Sequence, residues 1–155
     1  MSRPAASAAL FLVLVALAGC GGEDEPQTPA AVAAAYREWD DSAIAGKGDV
    51  ACSRMTKGFV KASIEYSQSK AKDCEGLMKE TLAYAKKHPE IKNYTIKGIT
   101  VDGNQAQLID QTPYGKEVDT AQMFLVRVGG KWKVDKQVVL QQNGPEIAPP
   151  TGLTS

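Results

Sequence analysis

The chain has 155 residues, with 18 lysines and arginines against 18 aspartates and glutamates, three cysteines and one histidine. That length houses one compact domain with a core of its own and is too short for two. The neutral balance excludes binding to nucleic acid by bulk charge, and the lone histidine excludes a multi-histidine metal site or a histidine relay.

Arg3 opens the chain with a positive charge, and an apolar run follows from Ala8 to Leu17. The run has the length of a secretory h-region, whereas a hydrocarbon core ~30 Å thick needs about 20 apolar residues. Small residues Ala18 and Gly19 lead into Cys20. Together Leu17-Ala18-Gly19-Cys20 resembles the bacterial lipobox. The resemblance implies removal of residues 1–19 as a signal peptide and a diacylglyceryl thioether on Cys20. The acyl chains would hold the protein on the extracytoplasmic face of the cell membrane. Ordinary secretion is the alternative, but it leaves an unpaired thiol at an exported N-terminus. Residues 20–28 join Gly21-Gly22, Glu23-Asp24-Glu25 and Pro26 with nothing apolar, which predicts a solvated, flexible tether and not a metal site.

Residues 29–140 carry the pattern of a folded domain. Thr28 as N-cap and Pro29 at the first helical position open a helix in which Val32, Tyr36, Trp39 and Ala43 recur every three or four residues. Arg37, Glu38, Asp40 and Asp41 take the other side, and Gly46 to Gly48 ends the helix. Asp49 is expected to cap a short helix to Met55, Thr56 a third with Phe59, Val60 and Ile64, and Asp73 a fourth from Cys74 to His88, closed by Pro89. With Cys20 taken by lipid, Cys52 and Cys74 remain in an oxidising compartment, each near the start of a predicted helix, and a disulfide between them is expected.

Beyond Pro89 the period becomes two. Tyr94 and Ile96 share a face, Ile99 and Val101 are in the opposite phase, and Gly98 between them predicts a bulge. Asp102-Gly103 predicts a tight hairpin into a strand from Asn104 to Asp110, and Pro113 and Gly115 a turn. Val118 to Val128 makes a third strand, with Val118, Thr120, Phe124, Val126 and Val128 on even positions. Gly129-Gly130 turns the chain into a fourth, Lys131 to Leu140, where Trp132, Val134 and Val138 alternate with polar residues. Residues 141–155 are expected to form a loose tail.

The expected fold class is therefore α+β, N-terminal helices packed on a curved antiparallel four-stranded meander. Four features occur in order: the first helix ending in Ala45-Gly46-Lys47-Gly48-Asp49, the helix with Cys52 and Met55-Thr56, the second cysteine Cys74, and the strand Gly130-Lys131-Trp132-Lys133-Val134. Through them Thr28 to Leu140 resembles the small exported domains of the nuclear transport factor 2-like (cystatin-like) cone fold, especially lipoproteins of actinobacterial type. The resemblance implies a cone-shaped domain. Its superfamily holds isomerases, polyketide cyclases and dehydratases beside many non-catalytic modules, and the catalytic members usually place an Asp or His in the cone.

Chemistry is sparse in this chain. His88, at a lysine-rich helix end before Pro89, fits a capping role. Asp110 and Asp119 are the candidate bases on the sheet, and alternation alone does not decide their burial. Phosphate-binding glycine loops, nucleophile elbows and basic stripes interleaved with aromatics are absent from the sequence. The expectation is no catalytic residue, no cofactor and no metal. The chain reads as a membrane-anchored, non-catalytic module that binds a small apolar ligand on its concave sheet face, beside Tyr36 and Trp39. A cell-envelope protein-interaction module and an isomerase- or cyclase-type enzyme are the alternatives.

Overall fold

The structure, a computed structural model, describes residues 24–144. The expected signal peptide, Cys20 and the tail beyond Gly144 lie outside the described residues. Helices come first: α1 (Pro29–Ile44), α2 (Gly48–Ser53), α3 (Lys57–Tyr66) and α4 (Cys74–Lys87), then a 3-10 turn (Pro89–Asn93). Strands β1 (Thr95–Asp102), β2 (Gln105–Tyr114), β3 (Glu117–Val128) and β4 (Lys131–Gly144) follow. They pair as one antiparallel meander in the order β1-β2-β3-β4. This is the α+β order that the change of period predicts.

Local chemistry sets the helix ends. Thr28, Thr56 and Asp73 each accept a hydrogen bond from the backbone N–H three residues on, at 3.3, 3.1 and 2.9 Å. The expected cap at Asp49 does not form. α2 starts two residues earlier, at Gly48, its N-cap Lys47 offers no side-chain bond, and Asp49 falls in the first turn, where a carboxylate suits the helix dipole. After α1, Gly46 takes φ +78°, and a Cβ there would press on Leu82. Cys52 and Cys74 are joined by a disulfide that ties α2 to α4; closing a loop of this length contributes about 3 kcal/mol in the chain-entropy account.

The sheet holds two irregularities that matter. The register shifts between Ile96 and Gly98 at the expected bulge, so Ile96, Ile99 and Val101 all pack toward the core. A second shift, unforeseen in the alternation, lies opposite Phe124 and Leu125, which pair with Lys136 and Val134 and leave Asp135 as an extra residue. It reverses the phase of β4. Trp132 and Val134 face the helices as expected, but beyond the bulge Gln137 and Val139 oppose the inward Met123 and Ala121, while Val138 opposes Gln122. On β3 the inward, buried set is the odd one, Ala121, Met123 and Leu125. Strand β2 runs on to Tyr114, past the expected turn residue Pro113. β1 pairs β2 only as far as Gln111, so Pro113 sits where one side of β2 has no partner strand to miss its N–H.

Two expected boundaries move. β4 continues to Gly144, with Gln141 opposite Thr120 and Gly144 opposite Val118, so the domain does not end at Leu140. Nor is the segment before Pro29 wholly a solvated tether, because Asp24 to Gln27 is docked on the sheet. The Glu25 N–H donates to Gly130 O at 2.8 Å, and the Glu25 carboxylate accepts from the Trp132 N–H at 2.7 Å. Arg54 pairs with Glu25 at 2.7 Å and also holds Glu38. Trp132 Nε1 donates to Pro26 O at 3.0 Å, and Gln27 donates to Asn104 at 3.0 Å. Composition hides this docking, since an acidic residue reads as solvated until the fold brings an arginine and a free amide to it. Burial pushes the Glu25 carboxyl up, but the Trp132 amide and the Arg54 and Lys131 charges outweigh it and hold the group below the usual range.

Candidate functional site

The inward face of the sheet changes character along its length. At the end near the Gly129-Gly130 turn, the rows Ala106–Leu125–Val134 and Leu108–Met123 are large and apolar and meet Val32 and Tyr36 of α1. Trp132 beside them is fully buried. One row further, Asp110–Ala121–Val139 replaces that bulk with a short acid and a methyl, and Thr112–Asp119 follows. Side chains of that size cannot fill the space beneath the helices, and a cavity of about 450 Å³ opens there. Its volume lies within the ~300–1,000 Å³ of small-molecule sites.

Asp40 enters this cavity from α1, Tyr66 from α3, Tyr84 from α4, Asp110 and Tyr114 from β2, and Asp119 from β3. Asp110 is the innermost acid, 9% exposed. Thr112 Oγ1 donates to its Oδ2 at 2.9 Å, while Oδ1 has no hydrogen-bond partner. Burial raises the Asp110 pKa to about 6, although Thr112 and the nearby Tyr36 hydroxyl pull it down. Asp40 is raised further, to about 7, by burial and then by the charges of Asp110 and Asp41. The Tyr36 phenol is pushed well up, first by burial and then by Asp110.

The wall beside the acids is aromatic. His88 stands between Tyr84 and Tyr114, with ring centroids 4.4 and 5.1 Å away, and its Nδ1 lies 3.5 Å from Glu90 Oε1. His88 does sit at the C-cap of α4, where its N–H donates to Tyr84 O, but its ring props the two tyrosines. Burial and the hydrogen bond with Tyr114 push Tyr84 up to about 12. Tyr66, Tyr84 and Val139 at the rim are 78%, 47% and 43% exposed. A second hollow, also about 450 Å³, shares Tyr66, Gln137 and Val139 with the first and runs over Phe59 and Ala62.

The expected pocket residues fall elsewhere. Tyr36 is 2% exposed, and it packs on Trp39 and Tyr94 with centroids 5.3 and 5.9 Å apart. Trp39 bridges to Phe59 at 5.9 Å. Neither lines these two hollows; Tyr36 reaches the site only through Asp110, and Trp39 is half-buried against the core, with its Nε1 buried without a partner. Conversely, Asp40, expected on the solvent side of α1, lines the cavity. The spacing carried a signal for it: Asp40 lies four residues after Tyr36 and three before Ala43, so it belongs to the buried stripe as well as Trp39 does. Among the described residues, no three His, Cys, Asp or Glu side chains come close enough to share a metal ion. No helix among them is long and apolar enough to cross a membrane.

No protein-family model matches the sequence, and no curated protein matches it. Among solved structures the chain is similar to a Campylobacter jejuni protein described as an NTF2-like transpeptidase. That match has 18% identity over 65% of this chain and 94% of the other, with a TM-score of 0.47. It is also similar to a protein of unknown function with a cystatin-like fold from Methylobium petroleophilum PM1, with 10% identity over 80% and 86% of the two chains and a TM-score of 0.49.

Proposed function

We propose that this chain is a non-catalytic binding module that takes a small ligand of largely apolar body into the cavity between α1, α4 and the open end of the sheet. One observation carries the reading. Of the five large hydrophobic side chains that stand exposed among the described residues, three, Tyr66, Tyr84 and Val139, gather at the rim of this cavity. Exposed apolar residues scattered singly are ordinary, whereas a cluster around a concave site marks a binding surface. The protein would be held at the cell membrane by lipid on Cys20. Asp24 to Gln27 dock beside Gly130 and Asn104, so only Gly21, Gly22 and Glu23 separate Cys20 from the docked segment. Four residue steps span at most about 14 Å. The hairpin end would face the bilayer, and the cavity, at the other end of β3, would open away from it.

Neutral apolar alcohols should raise the melting temperature of the full chain in proportion to occupancy. Tyr84→Ala should remove the shift and leave the fold intact. If no ligand shifts the transition and a partner co-purifies from membranes, an envelope interaction module replaces this reading. Cys20→Ser should release the protein from membranes; an unmodified Cys20 in membrane-bound protein contradicts the anchor.

A specific observation favours a second reading. Two neighbouring acids with pKa values near 7 and 6 are what general acid–base catalysis requires. The absence of such a pair from the sequence was the ground for expecting no enzyme, and Asp40 with Asp110 removes that ground. Turnover of a ketone or ester substrate, lost in a folded Asp110→Asn variant, would establish the enzyme.

A further inference from the structure

We propose that the ligand of this cavity is a small organic cation, an alkylated amine whose positive head sits against Asp40 and Asp110 among the rings of Tyr84 and Tyr114. This rests on the binding reading and sharpens it by giving the ligand a charge. Among the described residues the lining holds three carboxylates, Asp40, Asp110 and Asp119, and no lysine, arginine or histidine. In a chain of zero formal net charge, that one-sided lining focuses a negative potential into a concave, poorly solvated site. Asp119 is already engaged within the fold, so the weight falls on the other two acids.

Asp110 supplies the independent sign of a missing partner. It is more than nine-tenths buried and lines the cavity, and its Oδ1, shielded from solvent, has no donor. A buried carboxylate oxygen without a donor is costly, and a positive charge in the adjoining cavity offsets that cost through its field. The rings select the kind of cation. Tyrosine faces attract alkylammonium heads, and several rings around one pocket suit a quaternary or alkylated amine better than a strongly hydrated one. A metal ion suits the site less, since no three ligating side chains among the described residues converge on one point, whereas a cation several ångströms across meets separated carboxylates.

Protons then compete with the ligand. Facing the two acids are Asp41, Tyr36 and Tyr94 on the α1 side, Thr112 and Tyr114 on β2, Asp119 on β3, and Tyr84 backed by His88 on α4. A bound cation favours the ionised acids, so affinity should fall as the pH drops through about 7 and about 6, where Asp40 and Asp110 take up protons.

The test is calorimetric titration of the full chain in a non-ionic detergent with choline, its neutral carbon isostere 3,3-dimethylbutanol, and the anion 3,3-dimethylbutanoate. Choline should bind at least about tenfold more tightly than the alcohol near pH 8, and lose about tenfold by pH 5.5. Asp110→Asn should weaken choline about tenfold and leave the alcohol unchanged. Should that variant fail to fold, Asp40→Asn on the partly exposed helix face gives the same reading by removing the upper step of the pH profile, while Asp102→Asn at the distant β1–β2 hairpin retains it. If the alcohol or the carboxylate binds as well as choline, or choline binding ignores pH, the cation inference falls and the binding module stands. If neither these three compounds nor benzyltrimethylammonium binds at about 10 mM, weaker than any functional site of this size would be, both fall.

Discussion

The two ends of the sheet are built from the same four strands, with β4 changing phase between them at Asp135, yet one is a core and the other a cavity. At the Gly130 end, Leu125, Val134 and Trp132 fill the space under α1, and the docked Asp24 to Gln27 segment seals the edge. The seal is close: a Cβ at Gly130 would run into the Asp24 carboxylate. At the Tyr114 end, Asp110, Ala121 and Asp119 are too short to meet the helices, and the rim stays apolar and exposed. The difference is one of side-chain volume in the inward rows on either side of the Asp135 bulge. Stability is thus concentrated at one end, and polar groups are left under tension at the other.

Substitutions at the two ends should therefore differ in size and in sign. The largest effect is expected at the closed end. Trp132→Ala removes a fully buried indole and the Nε1 bond to Pro26, and should cost about 3–5 kcal/mol in urea unfolding. A loss below 1 kcal/mol would mean that the closed end is not the stabilising half.

Next comes Asp40→Asn at the open end, with the opposite sign. The folded-state pKa of Asp40 is raised from 3.8 to about 7. The stability linked to this proton is therefore complete below the unfolded value and is lost as pH rises through the folded one. The variant should match the parent near pH 4 and exceed it near pH 8 by on the order of 2 kcal/mol. Equal stabilities at both pH values would contradict the burial of that acid.

Glu25→Gln should cost about 1–2 kcal/mol, because Arg54 keeps its place with one carboxylate fewer. Glu25 titrates the other way from Asp40. Its folded pKa is depressed below 4.5, so its contribution is present above that value and is lost as pH falls through the folded pKa. Hydrogen exchange of the Trp132 amide, which donates to Glu25, should accelerate in the variant relative to amides of β2.

The smallest effect belongs to Tyr66→Ala. At 78% exposure the ring contributes to the rim and not to the core, and the change in stability should stay within about 0.5 kcal/mol. Ligand binding should nonetheless weaken.

Much of the scaffold was legible from local chemistry. Thr28, Thr56 and Asp73 cap helices because a short oxygen-bearing side chain needs only the next turn's N–H. Gly98 marks a bulge because the apolar phase flips across it, and the Gly129-Gly130 turn needs only left-handed backbone, φ 58° and 76°. The Cys52–Cys74 pairing followed from counting the thiols left once Cys20 is expected to carry lipid. The site was less legible. Asp40 sits on a helix stripe that admits Trp39 equally, and the bulge at Asp135 shows no glycine or phase break strong enough to reveal that Gln137 and Val139 turn inward.

The sequence by itself determined the order of elements, the caps of α1, α3 and α4 and the meander, since these depend on contacts within a few residues. Only the tertiary structure decided that Glu25 is held in place while Asp110 is left short of a partner. Glu25 is held by groups far away in the chain, Arg54 and the Trp132 amide, whereas Asp110 is buried under α1 with Thr112, two residues on, as the donor to one of its oxygens. The energy of a buried charge is set by the burial and the donors that the fold supplies around it.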